Sequence, residues 1–343
     1  MRPEQRNAVL AAKLRVLVTE GWRRDASEPL LFPAGAAVLD DTDRSGWCLV
    51  APAERDRDPL DFAGASEDPN PRGWLGGAII WATRNDVHTL SVLLDHVTSD
   101  DARRAALFVD GPRLWRVIGR SVVEVPPLPY APPAELDAVV ELFRDVIVDA
   151  GADAVVEHGV LRAEYLGLEV GRVVVGEDDV PRLDVGVGKH DRLANAMLGN
   201  DRDVLGSLRN AIASVARYRR PGAPPHPANQ LVPARWMRAL AVANPSLVVA
   251  GALTAVEGTE ASTLKRATPA IAVGEGVVVA FGVGSDLDAI AFAADARAHY
   301  SPEAELVMVF SDPDAIPAQR LLIQRVPNAR LVTLSADWRD VAR

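Results

Sequence analysis

The sequence predicts an α/β protein in which two small parallel β-α-β-α-β units flank a central α+β domain with an antiparallel meander. Residues 47–125 and 277–334 both run strand–helix–strand–helix–strand at similar spacing. That alternation builds parallel sheets through right-handed crossovers. Between them, Val-rich runs broken by Gly159, Gly167 and an EDDVP turn read as antiparallel strands. Stiff or polar segments, PPLPYAPP at 126–133 and EGTEASTLKRATP at 257–269, separate the parts. The expected domains are 1–125, 134–256 and 270–343.

The elements follow in order. Residues 4–20 form a helix and 47–51 a strand. The polar stretch 53–72 reads as a long surface loop. Residues 74–84 are helical, with Leu75, Ile79 and Ile80 on one side. A strand at 89–94 precedes a helix at 99–109 with Ser99 as N-cap. Residues 114–125 are extended and bend at Gly119. The central domain opens with a helix over 134–150, striped by Leu136, Val139, Val140, Phe143 and Ile147. Strands at 154–157, 160–166, 168–175 and 182–187 come next, then helices at 192–198 and 204–218. A Pro-rich crossing at 221–233 leads to a helix at 234–243. The last part reads strand 277–283, helix 286–299, strand 305–310, helix 315–325 and strand 330–334.

Composition bounds the function. The chain has 343 residues, 37 Lys+Arg against 47 Asp+Glu and a net charge of −10, which argues against coating nucleic acid over its whole surface. Lys13, Lys189 and Lys265 are the three lysines, so Arg supplies most positive charge, as a GC-rich coding sequence favours. Cys48 has no partner for an intramolecular disulfide, and a reducing compartment is expected. The first residues lack the apolar core of a signal peptide, and no run of about 18 apolar residues occurs. The expected location is cytoplasmic, with no membrane partner.

Chemistry has few candidate places. The central helix–strands–helix order carries Glu157, Glu164, Glu169 and Asp184, with Lys189 nearby. Carboxylates on neighbouring strands with a Lys suit a Mg²⁺-dependent phosphodiesterase of the restriction-endonuclease-like class. The acid–x–Lys spacing of such a site fails, because Asp184 and Lys189 are five apart and position 186 is Gly. The other reading puts these acids on the solvent side of a half-exposed sheet. The DVGVGKHDR segment, 184–192, is a Gly-rich strand-to-helix junction that would present N–H groups to an anion or make a tight turn. The GVGSD segment at 282–286 lacks the third glycine of a dinucleotide fingerprint, and its acids fit helix capping. The richest segment is RYRRPGAPPHPANQLVPARWMR, 217–238. Arg217, Arg219, Arg220 and Arg235 lie among His226, Asn229 and Trp236, the mixture that phosphate or single-strand recognition uses. The same arginines would equally pair with acids. No zinc-ligand spacing and no G-x-S-x-G occurs.

The phrases YLGLEVGRVVV, LDVGVGKHDR, YRRPGAPPHPANQLVPARWMR and GSDLDAIAFAADAR resemble a family of uncharacterised proteins of high-GC actinobacteria over most of the chain. The resemblance implies an intracellular protein and carries over no catalytic residues.

The expectation is therefore a cytoplasmic, non-catalytic binding or assembly protein without a cofactor. Its Arg-rich loop would contact an anionic ligand or a protein partner, with nucleic acid as one candidate. The alternative is the Mg²⁺ phosphodiesterase using Glu164, Glu169, Asp184 and Lys189. The first needs Arg217, Arg219, Arg220 and Arg235 on one exposed positive surface. The second needs at least two of the carboxylates around a shared metal position.

Overall fold

A computed structural model describes residues 3–24, 27–32, 34–51, 73–130, 136–176, 179–188, 191–192, 203–224, 226–260 and 268–341. The predicted loop 53–72, Lys189 and most of the predicted helix 192–198 lie outside them. The α/β class is as expected: two sheets mix parallel and antiparallel strands and one is antiparallel. The chain groups into two compact units, each discontinuous in sequence. Unit 1 comprises Met1–Tyr130, Ser285–Asp295 and Ile316–Ala329; unit 2 comprises Ala131–Gly284, Ala296–Ala315 and Arg330–Arg343.

Unit 1 contains α1 (Pro3–Trp22), β1 (Leu30–Phe32), β2 (Gly35–Asp40), β3 (Ser45–Val50), α2 (Trp74–Arg84), β4 (Thr89–Leu94), α3 (Ser99–Ala105), β5 (Arg113–Ile118) and β6 (Ser121–Glu124). Its sheet runs in chain order from β1 to β6. The expected parallel strands β3, β4 and β5 form its centre. Antiparallel strands widen it on both sides. The expected bend at Gly119 is a hairpin turn, because φ of 63° there reverses the chain between β5 and β6. Leu10, Leu14, Leu17 and Val18, spaced one helical turn apart, bury α1 against Val38, Leu49 and Leu93. Thr98, not Ser99, caps α3: its side chain accepts from Asp101 N–H, and the Asp101 carboxylate accepts from Thr98 N–H. On α2, a Cβ at Gly76 would stand 2.5 Å from Leu287 Cβ. Gly76 N–H donates to Asp288 at 2.8 Å, and Asp286 accepts from Asp288 N–H at 3.0 Å. The acids after GVG are thus engaged with backbone.

Further along come α4 (Ala138–Glu141), α5 (Phe143–Asp149), β7 (Asp153–Glu157), β8 (Val160–Tyr165), β9 (Leu168–Val175), β10 (Pro181–Val185), α6 (Val204–Ala216), α7 (Pro233–Ala243), β11 (Thr254–Val256), β12 (Ala270–Gly274), β13 (Val277–Phe281), α8 (Asp288–Tyr300), β14 (Glu305–Ser311), α9 (Pro317–Ile323) and β15 (Ala329–Leu334). The meander β7–β10 is antiparallel throughout. His158–Gly159, at φ 51° and 74°, and Leu166–Gly167, at φ 48° and 76°, make its first two turns. Two successive positive φ values match the twist of a tight hairpin. One side of the meander buries Leu161, Ala163, Val170 and Leu183 with Ile147 of α5 and Leu208 of α6.

A bulge shapes the other side. Ala163 pairs with Gly171 and Glu164 with Glu169, so β9 has one extra residue, Val170. The extra residue shifts the alternation by one. Glu169 and Arg172, three apart, therefore reach the same side, where they bond at 2.7 Å. In the other sheet of unit 2, β11, β12 and β13 are antiparallel, β13 and β14 parallel, and β15 lies beside β14. The predicted parallel unit is again extended by antiparallel strands. Trp236, Met237 and Leu240 of α7 pack on this sheet with Val279, Phe281 and Val309.

Candidate functional site

The structure divides the segment 217–238 between two environments, both in unit 2. Arg217 and Arg220 are exposed beyond the end of α6, whereas Arg219 is 2% exposed. Arg219 donates to the carbonyl oxygens of Leu166, at 2.6 Å, and Leu231, and its guanidinium lies 4.7 Å over the Trp236 ring. It fastens the β8–β9 turn to the Pro-rich crossing. Burial lowers its pKa to about 10, with Glu164 opposing and Arg339 adding to the shift, so it stays charged at neutral pH. Arg235 is held by the carboxylates of Glu157 and Glu164. The expected single exposed surface of Arg217, Arg219, Arg220 and Arg235 therefore does not form. Two of the four bond to groups inside the fold.

The rest of the segment assembles something else. Tyr218, Arg220, His226, Asn229 and Trp236 line one open groove of about 610 Å³ together with Arg339. The Tyr218 and His226 rings stack at 3.5 Å and 13°. Asn229 donates to the Tyr218 carbonyl at 3.0 Å, holding the crossing to the helix end. Trp236 is buried and meets Trp338 edge-on at 5.3 Å. Arg339 lies over Trp338 at 4.3 Å, and burial lowers its pKa. Among the described residues, Arg220 reaches only the Arg217 carbonyl, at 3.4 Å. Neither Arg220 nor Arg339 has an ion-pair partner among the described residues, although Asp337 and Asp340 also line the groove. Asp340 accepts instead from Gly222 N–H at 3.0 Å.

The second environment is an ionic layer on the outer side of the meander, where α7 reaches over it. Glu164 is 2% exposed and accepts from Arg235 at 3.2 Å and Arg238 at 2.8 Å. Burial pushes its carboxyl up, against the pull of Arg238 and Arg235. Glu157 binds Arg235 and Arg162, the latter at 2.9 Å. Glu169 takes Arg172 at 2.7 and 2.9 Å, Arg192 at 2.7 Å and Arg162 at 3.5 Å. Asp184 pairs with Arg182 at 3.4 Å. The glycine-rich junction has a role here. At Gly186, φ is 147° and a Cβ would stand 2.7 Å from Arg192 N, so the chain doubles back tightly and returns Arg192 to Glu169. A cavity of about 310 Å³ touches Glu157, Arg235 and Arg238 of this layer, with Thr268 and Val283 on its wall.

The acids of the Mg²⁺ reading thus hold guanidinium groups. No group of three or more His, Cys, Asp or Glu among the described residues is arranged to hold a metal ion. Glu164 is not on a solvent side either, because α7 covers it. Sequence did not mark Arg162, Arg172 and Arg339, and it named Arg192 only as the end of the glycine-rich junction. Only the bulge, the Gly186 turn and the Trp338 contact bring them into place. Cys48 is fully buried, and burial raises its thiol well above the ordinary value, which removes it as a nucleophile. No described helix is long and apolar enough to cross a membrane. No family model, curated protein or solved structure matches the chain.

Proposed function

We propose that this chain is a non-catalytic binding protein whose Arg-rich loop takes an anionic partner along the groove beside Trp236. One observation carries the reading. Arg220 and Arg339 both line a groove with an aromatic stack and a tryptophan floor, and neither is salt-bridged to a carboxylate among the described residues, although Asp314 attracts Arg339 from farther away. A guanidinium beside π surface recognises anionic groups through its planar donor fork. Asp337 and Asp340 on the same wall orient the partner by repulsion. A cytoplasmic location fits the single buried cysteine. The phosphodiesterase reading is the less favoured, because Glu164, Glu169 and Asp184 are ion-paired to arginines.

The experiment is titration with labelled single- and double-stranded DNA and RNA, with and without Mg²⁺, at two salt concentrations. The expected result is salt-sensitive binding without cleavage, lost in the double variant Arg220→Glu, Arg339→Glu. Cleavage that requires Mg²⁺ and disappears in Glu164→Gln would overturn the non-catalytic reading. Binding unchanged in the double variant would overturn the groove. No binding at either salt would remove nucleic acid as the partner.

A further inference from the structure

The ionic layer on the meander does not balance. Among the described residues, Arg162, Arg172, Arg192, Arg235 and Arg238 make their ion pairs with Glu157, Glu164 and Glu169. Asp184 lies opposite Arg172 in the strand register, pairs with Arg182 at 3.4 Å and also attracts Arg192. Six arginines thus share four carboxylates in these ion pairs, an excess of positive charge in a poorly hydrated place. The surplus gathers at Glu169, whose two oxygens serve three guanidinium groups within 3.5 Å. A guanidinium offers five N–H donors, so Glu169, with Glu157 also taking Arg162 at 2.9 Å, engages only part of fifteen. Arg162 Nε is buried with no acceptor among the described residues. Side chains of Arg162 and Arg192 are only 17% and 15% exposed, so water satisfies these donors poorly. Burial lowers the Arg192 pKa, and the like charges of Arg172 and Arg162 act in the same direction, against Glu169 and Asp184.

We propose that Arg162, Arg172 and Arg192 form a binding site for a doubly charged oxyanion: a phosphate group, free or as a small monoester. A divalent oxyanion supplies negative charge where arginines are in excess and has acceptors enough for three planar forks. The scaffold is preformed. The β9 bulge aims Arg172, the Gly186 turn returns Arg192, and Glu169 spaces the three. The site is separate from the groove and does not depend on what the groove binds.

The test is calorimetric titration of the full chain in low-salt chloride buffer with sodium phosphate, with glycerol 3-phosphate and with acetate. Phosphate is expected to bind saturably at one site and acetate not to bind. Arg192→Gln and Arg172→Gln should each weaken phosphate by about ten-fold or more, the worth of one charge-assisted hydrogen bond. Arg330→Gln, on the exposed pair with Glu305, should leave it unchanged. Glycerol 3-phosphate binding as tightly as phosphate would assign the site to monoesters; weaker binding would assign it to the free ion. Absence of saturable phosphate binding, equal binding of acetate, or binding that survives both substitutions would overturn the proposal. Arg172, one-third exposed, decides the matter if Arg192→Gln does not fold.

Discussion

Each unit buries carboxylate against arginine, Asp295 in one and Glu157 with Glu164 in the other, and the surroundings make the two places different. In unit 1, Asp295 is fully buried and accepts from Arg103 at 3.0 Å, Arg104 at 3.3 Å and the Tyr130 hydroxyl at 2.8 Å. Each arginine has a second acid, Asp100 for Arg103 and Asp101 for Arg104. Their guanidinium groups lie over Tyr130 and Phe292 at 4.1 and 4.4 Å. In unit 2 the proportions reverse, and arginines outnumber the acids around Glu164 and Glu169. The pKa directions follow. Although burial opposes it, Asp295 and Asp100 hold Arg103 above its ordinary value, whereas burial and like charges hold Arg192 below. The presence of arginine does not distinguish a structural cluster from a candidate site. The charge balance does.

The sharpest way to break that comparison is Asp295→Ala. It takes from buried Arg104 and part-buried Arg103 the carboxylate they share. Breaking one partner of a buried pair costs about 3–5 kcal/mol. Urea denaturation should show that loss at neutral pH, and phosphate should not restore it. Recovery by phosphate would mean that unit 1 also accepts anions, and the contrast would fail.

Gly167→Ala tests whether the meander is docked against α7 as the ionic layer requires. The position has φ of 76°, and a Cβ would stand 2.3 Å from the Arg235 carbonyl carbon and 2.6 Å from Trp236 N. Backbone cannot move aside as a side-chain tip can. Strain of this kind costs about 1–3 kcal/mol, read as a lower Tm. A neutral substitution would show that α7 does not press on the β8–β9 turn.

How much of this was legible in sequence depends on the range of the interaction. The meander showed in Val-rich runs and two Gly turns, because strand alternation and positive φ are local. The hairpin β1–β2 did not, because LLF is three residues long with both leucines exposed and GAAVLD carries no polar–apolar alternation to mark a buried side. Glu164 looked like a solvent-side residue between Ala163 and Tyr165. It became buried because Arg235 and Arg238, more than 70 positions later, bring counter-charges to it. The cluster at 217–238 was visible as composition. Which of its arginines face outward was decided by the Leu166 carbonyl and by Glu157, and neither is marked in the segment itself.

Glu169→Gln separates the two clusters by a smaller effect. It removes the carboxylate that spaces Arg162, Arg172 and Arg192, and raises the local excess of positive charge by one. In phosphate-free buffer the loss should be about 1.5 kcal/mol, the scale of a charged hydrogen bond. Added phosphate should recover part of it by binding the folded state. The same addition to Asp295→Ala should recover nothing. Equal recovery in both would show a general salt effect instead of a site.

The smallest effect concerns the tyrosines of the two units at high pH. Burial and the neighbouring Asp295 carboxylate raise Tyr130 well above the ordinary phenol, with Arg103 opposing. Tyr300 is raised to about 12, by burial first and Glu257 second, and its hydroxyl donates to the Glu257 carbonyl at 3.2 Å. The sign is set by which state holds the proton more tightly. The folded state keeps these phenols protonated while the unfolded state releases them near 10. Stability from Tyr300 is present in full below pH 10 and is lost as pH rises toward 12. Tyr300→Phe should therefore flatten stability against pH in that window and remove one late step from the tyrosinate absorbance titration. Tyr130→Phe should leave that step in place while disturbing the Asp295 cluster. If Tyr300→Phe leaves the late step intact, Glu257 does not face Tyr300 as described, and the balance of charge around β7 must be drawn again.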